Sequence, residues 1–258
     1  MQEQLSGTIR THDKFSSQFL PSRDIVVYVP PGYDASPTRR FPVLYLHDGQ
    51  NLFDPATAFG EEWKVNSTAE SLIQQGQIEP LIIVGIHNVG DKRIDEYTPS
   101  KDDEKQKGGD ADQYGRMLIE ELKPFVDRLY RTLPDPSNTG LGGSSLGGLL
   151  SMHLGLRHGY TFGKLAVLSP SVWWNSRQIV QTVEALGEKL PLRIWLDAGT
   201  QEGEEVTSDT RLLRDALVAK GWKLNEDLTY FEAAGGEHNE RSWGSRVDAV
   251  LKYLFPPK

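Results

Sequence analysis

Short apolar, β-branched runs alternate along the chain with longer segments in which apolar residues recur at helical spacing. The runs predict seven strands, at residues 25–30, 42–46, 81–86, 139–142, 165–168, 193–196 and 228–231. Helical periodicity predicts helices at 114–130, 149–156, 207–219 and 247–254, and Pro124 is expected to kink or split the first of these. This alternation predicts one α/β domain over residues 1–258, with a mostly parallel central sheet and helices on both faces.

Residues 100–112 interrupt this alternation. The segment is charged and contains glycine, and Ala111 is its only apolar residue. We expect a solvated loop, either a surface connection without a role or a flap beside an active site. The flap interpretation follows from its place after the predicted strand 81–86, because ligands of open α/β sheets bind at the carboxyl ends of strands.

Composition and charge exclude several classes of function. The net charge of −8 over 258 residues gives no basic surface for nucleic acid or an anionic membrane, so neither is an expected partner. The longest apolar runs fall well short of the roughly 20 residues that span a bilayer. The chain has no cysteine, which excludes disulfides and thiolate chemistry. The first residues do not look like a secretory signal, so we expect a cytoplasmic protein, or a secreted or periplasmic one if a signal peptide has been removed.

The glycine and serine cluster at 142–148 carries the strongest chemical signal. Residues 143–147 read Gly-Ser-Ser-Leu-Gly and match G-x-S-x-G, a turn that presents a nucleophilic serine between a strand and a helix. Predicted strand 139–142 precedes the motif and predicted helix 149–156 follows it. Ser145, with glycines two positions away on either side, is therefore the candidate nucleophile, whereas Ser144 is a small residue that the turn tolerates.

A serine hydroxyl needs a base to remove its proton. In α/β-hydrolase triads the histidine follows the serine along the chain. Only His153, His158 and His238 follow Ser145. His153 and His158 lie on or at the end of the helix that begins at the turn, so they cannot reach back. His238 lies in a glycine-rich loop after the last predicted strand and is the candidate base.

The candidate acid lies in the loop after strand 193–196. Glu202 is at the tip of this loop, where its side chain can reach the His238 loop, and it is the preferred candidate. Asp197 abuts the apolar strand and is the alternative. Either carboxylate can hold the imidazole tautomer and stabilise the imidazolium.

Two backbone amides are expected to form the oxyanion hole. These are the amide of Leu146, which follows the nucleophile, and that of Gln50, in the loop after strand 42–46. His47 and Asp48 are adjacent but have no third cluster to complete a metal site, and His47 is expected to bond to local backbone. We therefore expect no metal and no cofactor.

The sequence resembles the putative esterase family of α/β-hydrolases, which includes feruloyl, acetyl xylan and enterochelin-type esterases, S-formylglutathione hydrolases and mycolyltransferases. The resemblance extends from about Arg23 to Phe255. Its motifs, in order, are FPVLYLHDGQNLFD, RIDEYTP, ELKPFVDRLYRT, LGGSSLGGLLS, LSPSVWW, LDAGTQEGE and GGEHNERSW. It implies an α/β-hydrolase fold with Ser145 as nucleophile, His238 as base and Glu202 as acid, where many relatives have Asp. It also implies oxyanion amides at Leu146 and Gln50.

Aromatic residues near the catalytic loops are candidates for a substrate pocket: Trp173, Trp174, Phe53, Trp63 and Trp243. At least one of the paired tryptophans is expected beside Ser145, and the other in the core. Together these features predict a serine carboxylesterase that acts on a small-molecule or carbohydrate-linked ester with a short acyl, aryl or sugar group. The alternatives are an acyltransferase or thioesterase with the same triad, or a non-catalytic binding module with this fold.

Overall fold

A computed structural model describes residues 6–102 and 104–257. Eight strands form one sheet: β1 (Thr8–Phe15), β2 (Arg23–Val29), β3 (Val43–His47), β4 (Ile82–Ile86), β7 (Thr139–Ser144), β8 (Lys164–Leu168), β9 (Arg193–Gly199) and β10 (Leu228–Ala233). Their order is β1-β2-β4-β3-β7-β8-β9-β10. Strands β1, β2 and β4 pair antiparallel, and every other pairing is parallel. A separate antiparallel ribbon joins β5 (Lys101–Asp102) to β6 (Lys107–Gly108).

The helices are α1 (Val65–Gln74), α2 (Arg93–Tyr97), α3 (Ala111–Arg116), α4 (Lys123–Leu129), α5 (Leu146–Arg157), α6 (Trp174–Glu184), α7 (Glu204–Lys220), α8 (Glu240–Gly244) and α9 (Val247–Leu254). Helices α3 and α4 are joined by a π-helical segment, Met117–Leu122, so the predicted helix 114–130 is divided into three parts. Pro124 at the start of α4 explains the division, because proline lacks an amide proton and its ring displaces the preceding turn. The predicted helix 247–254 is confirmed as α9.

The core lies on both faces of the sheet, because successive strand side chains point to opposite sides. Val43 and Tyr45 of β3 belong to a large apolar cluster that also contains residues of α5 and α7. Leu44 and Leu46 belong to a second cluster with residues of α1 and α9. The predicted mostly parallel sheet with helices on both faces is thus confirmed. No helix in the described ranges combines the length and the apolar character needed to cross a membrane.

Two segments differ from expectation. Strand β1 was not predicted because its side chains are exposed or half-buried, so it has no buried apolar run. Residues 100–112 are not a simple solvated loop, since they contain the β5–β6 ribbon and the start of α3. The carbonyl of Ser100 accepts a hydrogen bond from Trp174 Nε1 at 3.0 Å, and Gly108 N donates to Asp95 Oδ1 at 2.8 Å. These bonds attach the segment to the body of the protein.

Candidate active site

Ser145 lies at the turn between β7 and α5, with φ 58° and ψ −123°. Non-glycine residues rarely adopt this backbone conformation, and such strain costs of order 1–3 kcal/mol. The surrounding structure holds it, because Ser145 N donates to Leu168 O at 3.0 Å and Ser145 O accepts from Leu149 N at 3.1 Å. The turn places the serine at the carboxyl end of the central strand, as predicted for a nucleophile elbow.

The glycines on either side of Ser145 are required by close approach. A Cβ atom on Gly143 would lie 3.1 Å from the carbonyl carbon of Gly147 and 3.1 Å from Cδ2 of His47. A Cβ atom on Gly147 would lie 3.3 Å from Cβ of His47. The G-x-S-x-G spacing therefore reflects the packing of the turn against β3.

His238 lies between Ser145 and Glu202. Its Nε2 atom is 3.0 Å from Ser145 Oγ, and its Nδ1 atom is 2.9 Å from Glu202 Oε2. The Glu202 side chain is fully buried, whereas 38% of the His238 side chain is exposed. The structure thus brings together the three side chains that the sequence indicated as nucleophile, base and acid.

The other oxygen of Glu202 is also fully engaged. Glu202 Oε1 accepts a hydrogen bond from Ser169 Oγ at 2.6 Å and another from Gly199 N at 2.7 Å. Burial alone would raise the pKa of Glu202, but hydrogen bonds from His238 and Ser169 outweigh it and hold the pKa below its usual value. Glu202 is therefore ionised at neutral pH, as a group that stabilises an imidazolium must be.

Glu202 and His238 are carried by two loops, 200–203 and 234–239, that are bonded to each other. Thr200 N donates to Ala233 O at 3.0 Å, and Gln201 N donates to Gly236 O at 2.8 Å. These bonds continue the parallel pairing of β9 and β10 beyond the sheet. The candidate acid and the candidate base are consequently held in one unit.

Asp197, the alternative acid, lies on β9 and is fully buried. It accepts from Trp195 Nε1 at 2.7 Å and from Ser169 N at 3.2 Å, and it lies 3.2 Å from Arg246 Nη1. The contact with Arg246 lacks hydrogen-bond geometry. Burial raises the pKa of Asp197 to about 6, although the Arg246 charge acts to lower it. The partner of His238 is Glu202 rather than this aspartate.

The two candidate oxyanion residues belong to different segments of the chain. Leu146 is the first residue of α5, where helical amides have no partner within the helix. Gln50 is the middle residue of a 3₁₀ turn, Gly49–Asn51, and lines the same cleft as Ser145. Asp48 precedes this turn in a left-handed conformation and is held by two hydrogen bonds of 2.8 Å from Arg93. An ion pair therefore anchors the loop that bears Gln50.

The cleft at Ser145 has a volume of about 350 Å³. Most of the residues that line it are polar or charged, and beside Ser144, Ser145 and His238 they are Asp48, Gln50, Asn51, Asn88, Arg93, Glu240, Phe59 and Trp243. A larger cleft of about 670 Å³ lies alongside, between Trp63 and Arg241, but Ser145 does not line it. The presence of the candidate nucleophile Ser145, rather than volume, identifies the smaller cleft as the candidate active site.

The predicted aromatic residues are dispersed. Trp243 lines the cleft, and its ring centroid lies 4.9 Å from that of His238. Trp63 packs against Trp243 at 6.0 Å but lines the neighbouring cleft. Phe53 and Trp174 were candidates for the cleft, but both are buried in the core. Phe53 packs against Tyr28, and Trp174 lies beneath the ribbon segment.

Trp173 is 44% exposed, its ring packs against that of the buried Trp174, and it is not among the residues that line the cleft. Phe59, which the sequence did not single out, is the other aromatic residue of the cleft, and it is 84% exposed. Its amide donates to Asn51 Oδ1 at 2.9 Å, so the segment that carries it is tied to the loop of Gln50.

Sequence reasoning missed several polar residues of the site. Ser171 Oγ lies 3.3 Å from Ser145 Oγ, and Ser169 and Arg246 contact Glu202. Ser169 and Ser171 directly follow β8, and that position alone could have indicated them. His47 was expected to bond to local backbone, but its Nδ1 atom lies 3.1 Å from the Tyr114 hydroxyl. Burial lowers the pKa of His47 to about 3, so it is neutral.

Known proteins are similar to this chain in sequence and in fold. The model of the family described as Putative esterase matches residues 16–254. The siderophore enterobactin esterase of Emericella nidulans is 30% identical over 71% of this chain and 67% of its own length. An endo-1,4-beta-xylanase/feruloyl esterase of Xylanibacter ruminicola is 26% identical over 89% of this chain and 29% of its own length. The enterobactin esterase FES of Shigella flexneri superposes with a TM-score of 0.76 at 21% identity, over 98% of this chain and 60% of that one.

Proposed function

Since this chain belongs to the Putative esterase family and is a carboxylic ester hydrolase with the α/β-hydrolase fold, we propose that Ser145, His238 and Glu202 form its catalytic triad. The proposal rests on the two contacts of His238. Its Nε2 atom lies 3.0 Å from Ser145 Oγ, and its Nδ1 atom lies 2.9 Å from Glu202 Oε2. A base bonded to both a nucleophile and an orienting carboxylate meets the geometric requirement for an activated serine.

The reaction we propose begins with attack of Ser145 Oγ on the ester carbonyl carbon while His238 Nε2 takes the hydroxyl proton. The amides of Leu146 and Gln50 donate to the oxyanion of the tetrahedral intermediate. Collapse of this intermediate breaks the bond to the alcohol oxygen, which receives the proton from His238. Water then attacks the acyl-enzyme by the same steps, releasing the carboxylic acid and restoring Ser145.

We propose that the substrate is a small ester with a short acyl, aryl or carbohydrate group. The names of the two relatives fit this range, since one is a feruloyl esterase and the other an enterobactin esterase. The volume of about 350 Å³ suits one such group, with the remainder of the substrate outside.

The test compares wild type with Ser145→Ala on p-nitrophenyl butyrate and on acetylated-sugar, feruloyl and thioester substrates. We expect Ser145→Ala to lose at least 10³-fold in kcat on every substrate that wild type hydrolyses. Ser144→Ala, one residue earlier in the chain, should keep activity of the wild-type order. Equal activity of wild type and Ser145→Ala, or inactivation by Ser144→Ala alone, would overturn the proposal. Transfer to an added alcohol in preference to water would reassign the enzyme as an acyltransferase.

A further inference from the structure

The positive and negative charges in the wall of the cleft are unequal in number. Apart from His238, the residues that carry them are Asp48, Arg93 and Glu240. Arg93 donates from Nε to Asp48 Oδ1 and from Nη2 to Asp48 Oδ2, both at 2.8 Å. This two-point contact matches guanidinium to carboxylate, so the positive charge of Arg93 is already compensated. Glu240 is left as the uncompensated charge of the cleft.

Glu240 begins α8, two residues after His238, and its side chain is half-buried. Its Oε1 atom accepts a hydrogen bond from Asn51 Nδ2 at 3.3 Å, which is long for such a bond. Within residues 6–102 and 104–257, no lysine, arginine or histidine lies at ion-pair distance from it. A carboxylate so placed retains unused acceptor capacity toward the space that a substrate would occupy.

The electrostatic surroundings of Glu240 disfavour a second negative charge. Burial raises the pKa of Glu240 most and the charge of Asp48 also raises it, while a hydrogen bond from its own backbone amide and the charges of Arg93 and His238 act in the opposite direction. An anionic substrate group would add like-charge repulsion in a site that is partly shielded from water. A hydroxyl group would instead donate to the carboxylate and satisfy it.

We propose that Glu240 is a specificity-determining residue, which makes the cleft accept neutral, hydroxylated ester groups and reject groups that carry a carboxylate. This inference rests on the proposed function, because it takes the cleft at Ser145 as the substrate site. Beyond that function, the inference specifies the charge of the substrate group that the cleft accepts and the residue that selects it.

Two substrate series of similar size test the inference, one for each side of the ester bond. The acyl series is ethyl butyrate, ethyl 3-hydroxybutyrate and monoethyl succinate. The alcohol series is propyl butyrate, 2-hydroxyethyl butyrate and carboxymethyl butyrate. Release of acid is followed by titration at pH 7.5, and kcat/KM is compared within each series for wild type, Glu240→Gln and Glu237→Gln. Glu237 is the matched control, an exposed glutamate of the same loop that does not line the cleft.

In at least one series, wild type should prefer the hydroxylated to the anionic substrate by tenfold or more. Glu240→Gln should reduce that ratio about tenfold, because the neutral amide keeps the shape and removes the charge. Glu237→Gln should leave the ratio at the wild-type value. A ratio unchanged by Glu240→Gln in both series, or changed equally by Glu237→Gln, overturns the inference.

Failure of the inference and failure of the proposed function are distinguishable. Ser145→Ala is assayed on the preferred substrate of the same series. If it is inactive while Glu240→Gln discriminates as wild type does, only the role of Glu240 is overturned. If Ser145→Ala remains active, the proposed function fails, and the assignment of the cleft fails with it.

Discussion

Ser169 donates its hydroxyl proton to Glu202. The Ser169 oxygen accepts from Trp243 Nε1 and from Arg246 Nη2, each at 3.0 Å, so both of its acceptor positions are occupied. Its single proton is therefore directed at Glu202 Oε1, 2.6 Å away. Ser169 and Gly199 thus donate to one oxygen of the carboxylate while His238 contacts the other, which fixes the orientation of Glu202.

Removal of the Ser169 hydroxyl should impair the proposed triad, at some cost in stability because Trp243 Nε1 and Arg246 Nη2 also lose an acceptor. Ser169 has φ 42°, which glycine adopts without strain, so Ser169→Gly is the suitable variant. We expect kcat to fall about 10- to 100-fold with little change in KM. The acid limb of the kcat/KM profile should move to higher pH, because Glu202 loses a hydrogen bond that lowers its pKa. Kinetics from pH 5 to 9 check both expectations.

Ser176→Gly is the matched control for this change. Ser176 is exposed, also has a left-handed backbone, with φ 56°, and lies in α6, whereas Glu202 lies in the loop after β9. It should leave the pH profile in place. If both variants shifted the profile equally, a general effect of the serine-to-glycine change would replace the specific one.

Substitution of the two buried carboxylates should separate their roles. We expect Glu202→Gln to lower kcat about 10²- to 10⁴-fold, because the amide cannot stabilise the imidazolium and can favour the wrong tautomer. Asp197→Asn should keep kcat within about tenfold of wild type, since Asp197 bonds to Trp195 and Ser169. The measurement is kcat at pH 8. Near-normal activity of Glu202→Gln together with an inactive Asp197→Asn would identify Asp197 as the acid.

Asp197 should also make stability depend on pH. Burial raises its pKa in the folded state from 3.8 to about 6, so the folded protein binds the proton more tightly than the unfolded chain. Its contribution to the free energy of unfolding is therefore present below about pH 4 and is lost as pH rises through about 6. Asp197→Asn lacks this titration. Relative to wild type, the variant should become more stable by about 2–3 kcal/mol between pH 4 and pH 7.

Urea unfolding of both proteins across that range measures the difference, in which the titration of other groups cancels to first order. A difference that stays constant between pH 4 and pH 7 would mean that Asp197 has the same pKa in the folded and unfolded states.

The elbow should not tolerate a methyl group at Gly143. A Cβ atom there would meet the backbone of Gly147 and the ring of His47, each at 3.1 Å. We expect Gly143→Ala to lower the free energy of unfolding by about 1–3 kcal/mol and to lower kcat, because relief of the contact moves Ser145. Thermal unfolding and kcat are the measurements. Gly187→Ala, where a Cβ atom meets nothing within 4 Å, is the control and should match wild type in both.

The predictable parts of the fold were those with a local signal. The central strands are fully buried, so runs such as Ile82–Ile86 lack polar residues and stand out. Strand β1 carries no such signal, because it pairs only with β2 at the edge of the sheet. Helix α6 was missed because it opens with three residues in left-handed conformations, Asn175 to Arg177, before its regular turns.

The three triad candidates could be located because each occupies a loop at the carboxyl end of a strand, and the order Ser, acid, His excludes the earlier histidines. The supporting contacts could not be located this way. Ser169 meets Glu202 across 33 residues and Arg246 across 77, and no local pattern encodes such a pair. Phe53 lies near Gln50 in sequence but points into the core, because chain proximity does not determine the direction of a side chain.

Because the loops of Glu202 and His238 are bonded to each other, substrate selectivity and proton transfer depend partly on different segments of this enzyme. The proposed acid and base form a single structural unit at the end of β9 and β10, whereas Gln50, Phe59 and Arg93 reach the cleft from the loops after β3 and β4. Substitutions or insertions in these latter loops can reshape the substrate site without altering the distance between acid and base. Part of the selectivity can therefore diverge independently of proton transfer, whereas a change at Glu240, which directly follows the His238 loop, can affect both.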